Sequence, residues 1–369
     1  MGLYLCGSCG AVSLPQEISA QAWCLVDGQT GRVLWSENGQ TPLPMASTTK
    51  IMTALLAVEA GNLQREIVIP AEAEGVEGSS ISLQTGERMT MEQLLQGLMM
   101  ESGNDAAVAV AVLTSGSVEA FVQKMNERAR ELGLEQTHFE NPNGLPAETH
   151  YTTAEELAKL TAYAMTLPEF AKLVGTQSAQ IPYHNEEGKQ RWLTNSNRLL
   201  KEYPGADGVK TGYTKAAGRC LVSSARQEEE HLICVTLNAP DDWRDHHNLL
   251  DFGFENVRWE EGIQSGEQRL CVPVTGGNQR QVQVANEGGW SGLVEENGSE
   301  VELDWQLPSF VYAPVRRGEQ LGTLLIHQGD TVLAQLPLVA QSDVFTEPQK
   351  LTIFAKLRKF FNNILLLFD

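Results

Sequence analysis

The sequence predicts an α+β fold, an antiparallel sheet flanked by helices, followed by a small all-β domain and a C-terminal amphipathic helix. Three observations carry that expectation. Strand-like runs stand at both ends of residues 22–237, with helical periodicity between them. Beyond about Phe254 the pattern changes to short alternating runs broken by glycine turns. Residues 350–369 then return to a helical period, with basic and apolar faces opposed.

Taken in order, residues 1–20 begin with a small, apolar stretch, and Ser19-Ala20-Gln21-Ala22 suits a small-residue cleavage site. They read as a remnant of a truncated signal peptide, because a positive leading region and a full apolar run are both missing. Cys6 and Cys9 form an isolated CxxC without the second pair of a zinc site. Ala22–Asp27 and Arg32–Trp35 surround a glycine-bounded turn and predict a β-hairpin. Helical spacing of Ala, Leu, Met and Val follows over 47–60, 91–113, 117–132 and 153–166. Strand character resumes over Val209–Tyr213, Cys220–Ala225 and Leu232–Leu237, so both groups of strands are expected to share one antiparallel sheet. We assign this domain to residues 21–256. Alternation at Leu270, Val272 and Val274, and again at Val301, Leu303, Trp305 and Leu307, marks a β-rich domain over 257–345, a sandwich or barrel.

In residues 346–369, Phe354, Leu357, Phe361, Ile364, Leu365 and Phe368 fall on one helical face, with Lys356 and Lys359 opposite. A segment too short to span a bilayer can lie in its interface, and this one is expected to bind a membrane surface.

Composition narrows the function classes. Among 369 residues, 42% are hydrophobic and 20% charged, which excludes a disordered chain. No apolar run reaches the ~20 residues of a spanning helix. With 27 basic against 47 acidic residues the net charge is −20, which repels phosphate backbones and argues against a nucleic-acid partner. Six scattered cysteines do not make a disulfide scaffold.

The chemistry lies in three short words. A helix starting at Ser47 places its hydroxyl and the Lys50 amine three residues apart on one face, within reach of each other. The helix N-terminus favours negative charge developing near the serine oxygen. Apolar Ala54 and Val58 continue the Lys50 face, so desolvation should lower the lysine pKa and free its lone pair for a proton. Taken alone, Ser-x-x-Lys is common by chance and reads as a capped helix with a snorkelling lysine. Ser102-Gly103-Asn104, at a break between two apolar helices, and Lys210-Thr211-Gly212, on a strand, change that reading. The three occur in the order and local contexts of the motif set shared by penicillin-binding proteins and class A β-lactamases.

With these words the chain resembles the serine-type D-alanyl-D-alanine carboxypeptidases, low-molecular-mass penicillin-binding proteins of peptidase family S11. Met45–Ala54, Ser102–Ala107, Phe139–Leu145 with Tyr151–Leu157, and Gly205–Ala225 carry the likeness, which spans roughly residues 20–369. The resemblance implies a β-lactamase/transpeptidase-like fold for the first domain. It implies Ser47 as acylated nucleophile, Lys50 as general base and Ser102 as proton relay to the leaving amine. Asn104 would bind the substrate's backbone amide, and Lys210 with Thr211 its terminal carboxylate. Gly212 would let the backbone approach closely, and the Tyr213 and Ser47 amides would form the oxyanion hole. It further implies stem peptides of peptidoglycan ending in D-Ala-D-Ala as substrate, β-lactams as inhibitors, no metal or organic cofactor, and a place on the outer face of the bacterial cytoplasmic membrane.

Two other readings stay open at this point. A serine β-lactamase of class A carries Ser-Asp-Asn where this chain has Ser102-Gly103-Asn104, and uses a further glutamate for which Glu148, Glu155 and Glu156 are the regional candidates. A catalytically idle wall-binding scaffold is the other. Asp241-Asp242-Trp243-Arg244-Asp245-His246-His247 raises a metal question, but lacks ligand spacing and reads as a turn and helix start. Trp23, Trp35, Trp192, Trp259, Trp290 and Trp305 are expected in the core or at a domain interface.

Overall fold

The computed structural model describes Pro15 and residues 17–347. The signal-remnant reading of residues 1–14, the Cys6/Cys9 pair and the amphipathic reading of residues 348–369 lie outside the described residues. Thr346, at the start of the proposed tail, bridges to Gly277. Two compact units are found, one running to Arg258 and one beginning at Trp259.

In the first unit, β1 (Ala22–Asp27) is buried at all six positions, as a central strand must be, and pairs antiparallel with β2 (Val33–Glu37). A 3-10 turn over Ala46–Thr49 feeds α1 (Lys50–Glu59), whose residues from Lys50 to Val58 are all buried. An all-round apolar helix belongs in the interior, and α1 is the axis of this core. β3 (Glu66–Val68) and β4 (Arg88–Thr90) make a small ribbon ahead of α2 (Met91–Met100). Thr90 caps α2 through a reciprocal box with Gln93. The chain breaks over Glu101–Gly103 and resumes as α3 (Asn104–Ser115), then α4 (Val118–Glu131) and α5 (Ala154–Met165), each of the last two capped by a hydroxyl, of Ser117 and Thr153.

Pro168 opens α6 (Pro168–Gly175), which is followed by a hairpin of β5 (Ser178–Pro182) and β6 (Gln190–Thr194). After the short α7 (Leu199–Glu202) come β7 (Ala206–Thr214), β8 (Gly218–Gln227) and β9 (Glu230–Leu237), and α8 (Asp242–Asn256) closes the unit. The sheet runs β2-β1-β9-β8-β7, antiparallel throughout, so the N-terminal hairpin and the C-terminal strands do share one sheet.

The second unit is built on a six-stranded sheet in the order 301–306, 320–328, 331–340, 281–286, 269–275, 311–312. All pairings are antiparallel except the last, where Val274 and Thr275 lie parallel to Val311 and Tyr312. Val272, Val282, Val284, Leu324, Ile326 and Leu338 form its core, the inward half of the alternation read from the sequence.

Candidate active site

Ser47 lies in the 3-10 turn that launches α1. Ala46 before it holds φ +48°, a left-handed conformation costly for a residue with a Cβ. The turn is pinned by hydroxyls: Thr48 Oγ1 donates to the Met45 carbonyl at 2.6 Å and Thr49 Oγ1 to the Ala46 carbonyl at 2.8 Å. One helical turn on, Lys50 is fully buried, and its Nζ has three oxygen partners: Ser47 Oγ at 2.9 Å, Asn104 Oδ1 at 2.7 Å and the Asn143 carbonyl at 2.7 Å. Burial holds the Lys50 pKa well below the usual lysine value, the like charge of Lys210 lowers it further, and Asp105 opposes both.

Ser102 occupies the break between α2 and α3 at φ +60°, with its Oγ buried and without a hydrogen-bond partner among the described residues. Asn104 begins α3, and its Nδ2 donates to the Glu77 carbonyl at 2.7 Å while its Oδ1 faces Lys50. The neighbouring Asp105 fixes the facing loop, accepting from the Ile81 amide at 3.1 Å, the Leu83 amide at 3.0 Å and Ser80 Oγ at 2.6 Å.

On β7, Lys210 is 1% exposed and its Nζ donates to the Thr211 carbonyl at 2.9 Å. Burial pushes its pKa down from 10.5 to about 7. Thr211 Oγ1 and Ser196 Oγ are 2.9 Å apart. A Cβ on Gly212 would lie 3.0 Å from the Ser47 amide nitrogen and 3.1 Å from that of Thr48, so the missing side chain lets β7 abut the nucleophile's turn. Gly144, at φ +89°, also approaches this turn; a Cβ there would sit 2.0 Å from the Ala46 carbonyl oxygen. The Tyr213 side chain is largely exposed.

The fold thus joins Ser47, Lys50 and Asn104 in one hydrogen-bonded cluster and sets the Lys210–Tyr213 strand against it. Chemically this is a hydroxyl beside an amine with a depressed pKa, with a second amine close enough for its charge to be felt. Three participants escaped the sequence reading: the Asn143 carbonyl, the Glu77 carbonyl and Ser196. Asn141-Pro142-Asn143-Gly144 signals a tight turn, but a carbonyl has no residue-type signature.

Other candidates separate from this cluster. Glu155 accepts from Ser36 Oγ and Gln40 Nε2, and Glu156 from the Gln136 amide and Thr137 Oγ1. Both carboxylates are therefore committed elsewhere. His246 is buried between Ser223 Oγ at 2.5 Å and Thr236 Oγ1 at 2.9 Å, while Asp242 pairs with Arg219. Among the described residues, no group of three His, Cys, Asp or Glu could hold a metal ion. Two tryptophans depart from expectation: Trp192 is 75% exposed, on an outward position of its strand, and Trp305 is 42% exposed near the end of its strand although it is in phase with Val301 and Leu303.

The sequence profile of the D-alanyl-D-alanine carboxypeptidase family matches residues 10–241, and that of the penicillin-binding protein 5 C-terminal domain matches residues 261–346. The chain is similar to D-alanyl-D-alanine carboxypeptidase DacF of Bacillus subtilis, 36% identical, with 88% of this chain and 86% of that protein covered. It is also similar to D-alanyl-D-alanine carboxypeptidase DacB2 of Mycobacterium tuberculosis, 34% identical over 66% of this chain and 85% of that one. Among solved structures, penicillin binding protein 5 from Haemophilus influenzae superposes with a TM-score of 0.79 at 27% identity, covering 90% of this chain and 99% of that chain. Three motif words on one Ser-Lys cluster and matches along most of the chain agree: this protein belongs to the D-alanyl-D-alanine carboxypeptidases of peptidase family S11, hydrolases with the penicillin-binding fold.

Proposed function

We propose that Ser47 is the nucleophile that attacks the carbonyl of the penultimate D-alanine of a peptidoglycan stem peptide, and that Lys50 is its base. The observation that carries this is the set of oxygens around Lys50 Nζ. A neutral amine has two N–H donors and one lone pair. Asn104 Oδ1 and the Asn143 carbonyl take the donors, which aims the lone pair at the Ser47 hydroxyl. Burial and Lys210 both favour that neutral form.

As Ser47 Oγ bonds to the carbonyl carbon, its proton moves to Lys50, and the oxyanion is met by the Ser47 and Tyr213 amides. The approach of Gly212 to the Ser47 amide supports this pairing. Ser102, whose Oγ has no partner among the described residues, passes a proton from Lys50 to the departing amine as the amide C–N bond breaks. Lys210 and Thr211 hold the terminal carboxylate, and Asn104 Nδ2 exchanges the Glu77 carbonyl for the substrate backbone. Water, activated by the same Lys50, then cleaves the acyl ester and restores Ser47. A β-lactam presents the same carbonyl and carboxylate, and acylates the same oxygen.

The decisive experiment incubates the protein and its Ser47→Ala variant with a labelled penicillin and with a peptide ending in D-Ala-D-Ala. Ser47-dependent labelling and D-alanine release are expected together. Fast penicillin turnover without peptide cleavage would instead identify a β-lactamase, and neither reaction an idle scaffold. We also place the enzyme at the outer face of the bacterial cytoplasmic membrane, held peripherally by residues 346–369, whose basic and apolar faces support interfacial binding. Deleting those residues should release the protein from anionic vesicles and leave soluble-substrate activity intact; retained binding refutes the anchor.

A further inference from the structure

The proposed reaction leaves one buried histidine beside the nucleophile's turn without a task. His150 is 4% exposed and its ring stands edge-on to Phe139, with centroids 5.9 Å apart. Its Nδ1 accepts from the Glu140 amide at 3.0 Å, so in the neutral ring the proton is on Nε2. Nε2 lies 2.7 Å from Thr49 Oγ1, and that hydroxyl donates its own proton to the Ala46 carbonyl at 2.8 Å. The chain of bonds therefore runs in one direction: Glu140 N–H to Nδ1, Nε2–H to Thr49 Oγ1, Thr49 O–H to the Ala46 carbonyl. Burial lowers the His150 pKa to about 4, with Glu140 opposing and His138 adding to the shift, so the ring is neutral near pH 7.

The carbonyl at the end of this relay is half of a peptide unit whose other half is the Ser47 amide. A trans peptide is planar, with its C=O and N–H pointing in opposite directions, so whatever holds the Ala46 oxygen also aims the Ser47 N–H. That amide is one of the two donors that meet the oxyanion in the proposed reaction. The unit needs holding, because Ala46 sits at φ +48°, where a residue with a Cβ is strained. A bond accepted by the carbonyl also polarises the unit and makes its N–H a stronger donor. The far end of the relay is anchored to the same stretch of chain: Thr152, two residues past His150, exchanges backbone bonds of 2.8 and 3.0 Å with Leu43, three residues before Ala46.

We infer that His150 is a positioning residue for the oxyanion hole: through Thr49 and the Ala46 carbonyl it fixes the aim of the Ser47 amide without touching the substrate. This rests on the reading of Ser47 as nucleophile, which gives that amide its task. His150 makes and breaks no bond in the reaction, and its proton stays on Nε2 throughout. Negative charge reaches the oxyanion only in the transition state, so a misaimed amide slows turnover and leaves substrate binding alone.

The full-length protein is compared with His150→Leu, His150→Gln, Thr49→Val and the double variant His150→Leu with Thr49→Val, all rates being taken per folded protein from near-UV circular dichroism. Two reactions are followed: D-alanine release from a peptide ending in D-Ala-D-Ala, and acylation of Ser47 by a labelled penicillin. His150→Leu and Thr49→Val should each lower kcat and the acylation rate constant about 10- to 50-fold with KM held within about twofold, less than the about 10²- to 10³-fold lost when an oxyanion donor is removed outright. His150→Gln keeps an N–H for Thr49 and should recover to within about threefold of the full-length protein. The double variant should be no more than about twofold slower than the slower single one, since both substitutions break one relay. If His150→Leu does not fold, Thr49→Val and His150→Gln still read the relay from its two ends. Unchanged rates, a loss confined to KM, or losses that multiply in the double variant overturn the inference. A full-length protein that is acylated by penicillin yet releases no D-alanine counts against the carboxypeptidase reading alone, and the acylation rates then decide the role of His150.

Discussion

If Lys210 anchors the substrate carboxylate, its own proton should limit the enzyme on the alkaline side. Burial brings the Lys210 pKa down to about 7, so the charged form is about half the population at pH 7 and about 1% at pH 9. A neutral amine cannot pair with a carboxylate, and kcat/KM for a peptide with a free C-terminus should fall about 50-fold between those values, equivalent to about 2.3 kcal/mol of transition-state stabilisation. The same peptide as a C-terminal amide should start lower and stay nearly flat over that range. Lys210→Arg, which cannot lose its charge, should abolish the alkaline limb for the carboxylate substrate. Lys210→Met should move the acidic limb upward, because the like charge that helps keep Lys50 neutral is gone. The measurement is D-alanine release from pH 6 to pH 9. An alkaline decline of equal depth on carboxylate and amide, or one that persists in Lys210→Arg, refutes the assignment.

Three further outcomes follow from the same geometry. Gly144→Ala puts a methyl where the Ala46 carbonyl oxygen lies, at a left-handed φ, and must displace the loop that offers the Asn143 carbonyl to Lys50; kcat should drop about 10- to 100-fold in the D-alanine assay, and unchanged turnover would contradict the role of that carbonyl. Glu87→Ala leaves the buried Arg191 guanidinium without its carboxylate and should cost about 3–5 kcal/mol in urea unfolding, against well under 1 kcal/mol for removal of the exposed Arg88–Glu66 pair. Burial lowers the pKa of His150 and His231 to about 4 and of His246 to about 3. The unfolded chain protonates them near pH 6.5 and so binds more protons; stability present above that pH is lost as pH falls, by up to about 1.4 kcal/mol per unit for each histidine. His246→Gln should remove one share of that slope between pH 6.5 and 5, and an unchanged slope would exclude His246 as a contributor.

Much of the architecture was readable because side-chain pattern and backbone agree. The hairpin at Ala22–Glu37, the helix break at Ser102 and the strand carrying Lys210 all coincide with changes of period or glycine punctuation. The lowered Lys50 pKa was foreseen from the apolar Ala54 and Val58 on its face, and α1 is indeed buried all round. What was not readable has a common physical cause. β3, β4 and α7 are three or four residues long, too short to show a period, and the β5–β6 hairpin alternates outward-facing Trp192 with buried Arg191, reversing the usual pattern. α6 went unread although Pro168 marks its first turn. α8 showed only its start, since charged residues crowd its first turns. Asn143 and Glu77 act through main-chain oxygens, which every residue possesses.

The turn bearing Ser47 is closely approached by Gly144 and by Gly212, from two distant stretches of chain. A methyl at Gly144 would overlap the Ala46 carbonyl and one at Gly212 would crowd the Ser47 and Thr48 amides, so substitutions at either position press on the backbone of the turn rather than open space beside it. Variation in what this enzyme accepts is left to the rims, such as Gln190 and Trp192, whose side chains face solvent while Arg191 and Leu193 between them are buried.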